Sequence, residues 1–183
     1  MPIYVAMLRG INVGPHKRIR MDRLRQSFES LGFESVATYI QSGNVVFKAA
    51  KQSPAALTKR IEKQLLADFG LAVPVICRTA AEMNAALGGN PFLTQPGADP
   101  AKLHVMFLAV PPSDAAAKQF LGSFPAPEAA RVVQREIYLY LPHGVSQSNG
   151  MKAPAVRILA VGNTTRNWNT VTQLAKMCAE CPG

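Results

Sequence analysis

Glu34-Ser35-Val36-Ala37-Thr38-Tyr39-Ile40-Gln41-Ser42-Gly43-Asn44-Val45-Val46-Phe47-Lys48 is the stretch on which the fold turns. Two runs rich in Val, Tyr, Ile and Phe flank Gln41-Ser42-Gly43, and that glycine admits the positive φ of a tight connection. The spacing predicts a hairpin of Glu34 to Ile40 against Asn44 to Lys48. Upstream, Ile3 to Arg9 is an apolar, β-branched run ended by Gly10, the pattern of a buried strand. After a loop from Gly10 to Ile19, Leu24, Phe28 and Leu31 recur at helical spacing in Met21 to Leu31, with Gly32 as C-terminal cap. Downstream, Ser53 caps a helix that Pro54 opens; Leu57, Ile61, Leu65 and Leu66 line one face until Gly70, and Leu71 to Arg78 returns as a strand. The order is βαββαβ, the split arrangement of ferredoxin-like folds.

A second pass follows. A short helix from Ala80 to Leu87 ends at Gly88-Gly89, and Asn90 to Pro100 reads as a linker. Lys102 to Val110 is a predicted strand, Ser113 to Phe124 a helix, and Ala130 to Gln134 with Ile137 to Leu141 a second hairpin. Pro154 opens a helix that Gly162 closes, and Val171, Leu174, Met177 and Cys178 place an apolar stripe on a terminal helix. The expected class is α+β, with two ferredoxin-like lobes of antiparallel sheet, helices on one face and an internal duplication. Residues 1–79 form the first lobe, 80–101 a helix and linker, and 102–183 the second lobe with its terminal helix.

Charge is unevenly placed. The formal net charge is +9, of which Arg9, Lys17, Arg18, Arg20, Arg23 and Arg25 against Asp22 supply +5 and residues 151–183 a further +3. Such a field attracts phosphate-bearing partners and weakens with salt. Apolar runs such as Ile3 to Leu8 and Val105 to Val110 are far shorter than the roughly 20 residues that span a bilayer, so no membrane partner is expected. Nothing reads as an export leader, which predicts a cytoplasmic location. Three cysteines, Cys77, Cys178 and Cys181, then read as reduced thiols. Cys178 and Cys181 have CxxC spacing at a helix end, without the two further ligands a zinc site needs or the strand a redox motif follows, so neither a metal nor a cofactor is expected.

Three motifs remain: Leu8-Arg9-Gly10-Ile11-Asn12-Val13-Gly14, Thr38 to Phe47, and Thr164-Thr165-Arg166-Asn167-Trp168-Asn169-Thr170-Val171. In these segments the chain resembles the uncharacterised family DUF1697. The resemblance runs through nearly the whole chain in the same order; it implies two ferredoxin-like lobes and brings no activity, substrate or cofactor. Pro15 and His16, where the family tends to Gly and Lys, and the tail from Cys178 to Gly183 are departures that bear on local loop shape.

Read as chemistry, Gly10, Asn12 and Gly14 form a glycine-punctuated loop after a strand, where backbone N–H groups can converge on an anion. The spacing is too short for GxxxxGK[ST], and GxGxxG is absent. Gln41, Ser42 and Asn44 sit in a turn, where short polar side chains ordinarily bond their own backbone. Arg166, Asn167 and the single tryptophan, Trp168, stand before a helix whose first N–H groups favour an anion. Trp168 suits a core plug as well as a stacking surface. Pooling Arg9 and Lys17 with Arg166 across the lobe boundary would make one basic cleft for a phosphorylated or nucleotide-like ligand.

Two other readings stay open. Ile3 to Leu8 resembles the first-strand signature of RNA-recognition motifs, although the companion strand carries one aromatic, Phe47, where stacking needs more. A partner-binding scaffold using the terminal helix is the third. HExxH, GxSxG and DxD are missing, and the spacing of Cys77, His104 and His143 recommends no nucleophile-base pair, so the sequence leaves catalysis and oligomeric state undecided.

Overall fold

The computed structural model describes residues 1–14, 17–95 and 98–181. The chain runs β1 (Ile3–Leu8), α1 (Met21–Glu29), β2 (Glu34–Tyr39), β3 (Asn44–Lys48), α2 (Pro54–Phe69), β4 (Val75–Thr79) and α3 (Ala80–Gly88). It continues as β5 (Leu103–Leu108), α4 (Asp114–Leu121), β6 (Ala129–Val133), β7 (Glu136–Tyr140), α5 (Ala153–Arg157), β8 (Asn163–Asn167) and α6 (Trp168–Glu180). Two four-stranded sheets result, ordered β2-β3-β1-β4 and β6-β7-β5-β8, with antiparallel pairing throughout. Each is the sheet of a ferredoxin-like βαββαβ unit. The chain divides into two compact units, Met1–Ala85 with Gln173–Gly183, and Ala86–Thr172, so the division falls within α3 and within α6.

Local signals start and stop the helices. The Ser53 hydroxyl accepts the Ala56 N–H at 3.2 Å with Pro54 in the first turn, and Gly70 ends α2 at a left-handed φ of 64°. Ser113 does the same for α4 through the Ala116 N–H. Thr79 and Glu82 form a reciprocal capping box at the start of α3, with bonds of 2.8 and 3.1 Å.

In the first unit Tyr4, Ala6 and Leu8 of β1 share one sheet face with Val45, Phe47, Val75 and Cys77, and α1 and α2 cover that face with Leu24, Phe28, Leu57, Ile61 and Leu65. Phe47 stacks on Phe33 at 4.6 Å and meets Phe28 edge-on at 5.4 Å. Full burial of each large side chain contributes about 1.5–3 kcal/mol. The opposite face, with Val5, Met7, Val46, Asn44, Lys48, Ile76 and Arg78, is buried as well. In the second unit Met106, Leu108, Ile137 and Leu139 pack under Phe120 and Leu159.

The two units end their first strands alike. Leu8 N–H donates to Gly43 O and Arg9 N–H to Pro74 O, at 2.8 and 2.9 Å; Leu108 N–H donates to Arg135 O and Ala109 N–H to Gly162 O, both at 2.8 Å. Val5 lies opposite Arg78 in β4 as Val105 lies opposite Arg166 in β8, and each arginine donates Nη1 to the carbonyl of the residue before it. The fold is thus repeated down to its ladder registers.

The last strand departs from the sequence reading. The helix opened by Pro154 stops at Arg157, Ala160 turns left-handed at φ 53°, and Asn163–Asn167 pairs with β5 instead of leading as a loop into α6. Asn-Thr-Thr-Arg-Asn has no apolar alternation; its strand conformation comes from the ladder with β5, a tertiary partner that overrides weak local preference.

Candidate anion-binding site

In the first unit, residues 9–20 link β1 to α1, whereas residues 109–113 make the same connection in the second. Pro15 and His16 of this link lie outside the described residues. Gly10, Asn12, Gly14 and Lys17 all take left-handed φ, between 55° and 72°. Asn12 holds them: its Nδ2 donates to the carbonyls of Ile19 and Gln41 at 2.9 and 2.8 Å, its Oδ1 accepts the Ile19 N–H at 2.9 Å, and its own N–H donates to Lys17 O at 3.0 Å. One amide therefore ties the loop to itself and to the β2–β3 turn.

That turn is packed as closely as it is bonded. A Cβ at Gly43, whose φ is 76°, would meet Ile11 Cδ1 at 2.7 Å and Leu8 Cβ at 2.8 Å. Ile40 is left-handed at φ 49° and half exposed, an uncommon and strained state for a β-branched residue. The Asn44 side chain is fully buried and donates to Tyr39 O and Ser42 Oγ, at 3.2 and 2.9 Å. Asn44, Ser42 and the Gln41 carbonyl thus serve the turn, while the Gln41 residue itself is exposed.

Arg9, Lys17, Arg18, Arg20, Arg23 and Arg25 are all exposed. Arg20 grips Asp22 through Nε and Nη2 at 3.1 and 2.8 Å, and this hydrogen bonding holds the Asp22 carboxyl below the usual carboxylate range. Asp68 is lowered too, chiefly by the Ser27 hydroxyl at 2.6 Å and then Gln64, with Arg23 adding a smaller attraction. Among the described residues Lys17, Arg18 and Arg25 form no salt bridge; Lys17 Nζ reaches the Ala72 carbonyl at 3.4 Å.

The third motif is differently employed. Arg166 lies in β8 and is 8% exposed, with Nη1 on Thr164 Oγ1 at 2.8 Å and Thr165 O at 2.9 Å. Desolvation pushes its pKa down to about 10, which leaves it charged at neutral pH. Asn167 caps α6, its Oδ1 accepting the Thr170 N–H at 2.8 Å. Trp168 is buried at the first position of α6, so the core-plug role describes it.

Beside the β1–α1 link runs a groove of about 440 Å³. Lys59, Glu62, Lys63 and Leu66, on successive turns of α2, form one wall; Ala72, Val73 and Pro74, leading into β4, form the other. The link touches this second wall through Arg9 N–H on Pro74 O and Lys17 Nζ on Ala72 O. Glu62 Oε1 accepts the Val75 N–H at 2.9 Å and so serves the first residue of β4.

A family model described as "Protein of unknown function (DUF1697)" matches residues 1–138. The chain belongs to this family. Its fold is similar to that of the conserved bacterial protein SP0830 from Streptococcus pneumoniae, with a TM-score of 0.76 and 23% identity over 97% of this chain and 98% of that one. At that identity the likeness speaks for the fold alone. No curated protein matches the chain.

In this DUF1697 chain the sequence motifs mark the clamped loop and turn but miss Lys59, Lys63 and Leu66. Their i, i+4, i+7 spacing does place them on one face of α2. The facing wall at 72–74 is a tertiary fact that no spacing within α2 reveals. Among the described residues no three His, Cys, Asp or Glu side chains converge to hold a metal, and no helix is long and apolar enough to cross a membrane.

Proposed function

We propose that the chain binds a phosphorylated or nucleotide-like anion on the basic surface of its first unit, around Arg9, Lys17 and Arg18. What supports this is the contrast between the two copies of the fold: the second joins strand to helix through residues 109–113, whereas the first uses residues 9–20, loads them with cations and holds them with Asn12. A longer connection that the fold does not require, and whose cations stay at the surface, is where function is expected. Arg166 is left out of the site because its guanidinium is committed inside β8. Stacking of single-stranded nucleic acid on the sheet, as RNA-recognition motifs do it, has no support in these faces: Tyr4 and Phe47 are 2% and 0% exposed, and the Tyr4 hydroxyl donates to Gln52 O.

The test is a thermal-shift titration of pyrophosphate and a nucleotide panel at low salt. A ligand at 100 times its dissociation constant stabilises the folded state by about 2.7 kcal/mol, which raises the melting temperature by roughly 5–10 °C in a chain of this size. The double variant Lys17→Ala, Arg18→Ala should melt where the wild type does without ligand and lose most of that rise. No rise for any anion, or an equal rise in the double variant, would end the reading.

A further inference from the structure

We propose that the groove between α2 and residues 72–74 is a binding site for a small amphiphilic anion: a phosphate monoester or carboxylate bearing an aromatic ring or short alkyl group. The inference rests on the anion-binding reading of the first unit and names the ligand class and the residues that take it. At about 440 Å³ the groove falls within the roughly 300–1,000 Å³ of small-molecule sites. Its apolar surface comes from Leu66, which is 53% exposed, together with the exposed Ala72 and Pro74. Lys59 and Lys63 stand on one rim, both exposed, and Lys17 approaches the other at the Ala72 carbonyl. Against these three cations the groove has one carboxylate, Glu62, whose Oε1 is taken by the Val75 N–H at 2.9 Å.

Each simpler occupant leaves part of the site unused. Inorganic phosphate would answer the lysines but leave Leu66 and Pro74 in water. A neutral apolar molecule would cover those residues and draw nothing from the cations. A ligand with both parts satisfies both walls, its anionic head at the lysine rim and its apolar group against Leu66, Ala72 and Pro74.

The experiment uses the full chain and 1-naphthyl phosphate, followed by amide chemical shifts, with inorganic phosphate and 1-naphthol as the head and ring alone. Saturable shifts are expected at residues 59–66 and 72–75, with affinity roughly tenfold or more above either fragment. The double variant Lys59→Ala, Lys63→Ala and the single variant Leu66→Ser, all at exposed positions, should each weaken naphthyl phosphate roughly tenfold while leaving the melting temperature nearly unchanged. Naphthol binding as tightly as its phosphate overturns the proposal, as do shifts confined to other residues. Inorganic phosphate binding equally well, through Lys17 and Arg18 only, overturns the groove while sparing the anion-binding reading. The absence of binding by any phosphate removes both.

Discussion

Asn12 is a motif residue whose polar groups are engaged within the protein. Its amide and backbone N–H make four hydrogen bonds within the loop and to the β2–β3 turn, at a left-handed φ of 55°. Two substitutions separate bonding from strain. Asn12→Gly keeps the backbone relaxed and loses the side-chain bonds, which predicts a loss of about 2–3 kcal/mol in urea unfolding. Asn12→Ala loses the same bonds and adds the left-handed penalty, about 1 kcal/mol more. Equal stability of the two variants would show that the strain argument is wrong. Arg166 teaches the converse: a cation beside a helix start reads as an anion cradle, yet its neighbours in β8 take its Nη1.

At the scale of elements, β5 carries a titratable group on its packed face. His104 shares that face with Met106 and Leu108, lies opposite Leu139 of β7, and its buried Nδ1 has no hydrogen-bond partner among the described residues. Desolvation lowers its pKa, with a smaller opposing pull from the Lys102 backbone. A base whose folded pKa lies below its unfolded value binds protons more readily when unfolded, so this group costs nothing above the ordinary value of about 6.5 and removes stability as pH falls below it. The wild type should therefore lose stability between about pH 7 and pH 5 in urea titrations, and His104→Gln should flatten that fall. An unchanged slope in the variant would acquit the imidazole. The elements themselves were largely legible: Ser53 and Gly70 bracket α2 where their chemistry requires, and Gly43 sits in the hairpin turn. β8 was illegible because Asn163–Asn167 carries its strand instruction in the partner β5 and not in its own side chains.

For the whole molecule the decisive quantity is where the +9 charge lies. The sequence divides most of it between two ends; the structure keeps the six cations of residues 9–25 exposed and sinks Arg166 into a sheet. If the exposed group attracts the ligand, binding must follow the screening length, which shrinks from about 10 Å at 0.1 M salt to about 3 Å at 1 M. The thermal shift from pyrophosphate should fall by more than half over that range, and by less for 1-naphthyl phosphate, whose apolar part is indifferent to screening. A pyrophosphate response that persists undiminished in 1 M salt would contradict electrostatic recognition.

The amino-acid order alone determined the βαββαβ order of the first unit, the βαββα part of its repeat, the helix caps and the basic link after the first strand, because periodicity, capping and charge are written within a few residues of where they act. Only the tertiary structure decided that Asn163–Asn167 is a strand, that Asn12 joins its loop to the carbonyl of Gln41, that Arg166 is spent internally, and that α2 faces residues 72–74 across a groove. The strand and the Asn12 clamp depend on partners distant in sequence, Arg166 on the burial that its place in the sheet gives it, and the groove on the turn that brings residues 72–74 back beside α2; burial and hydrogen bonding are settled by which surfaces meet once the chain has folded.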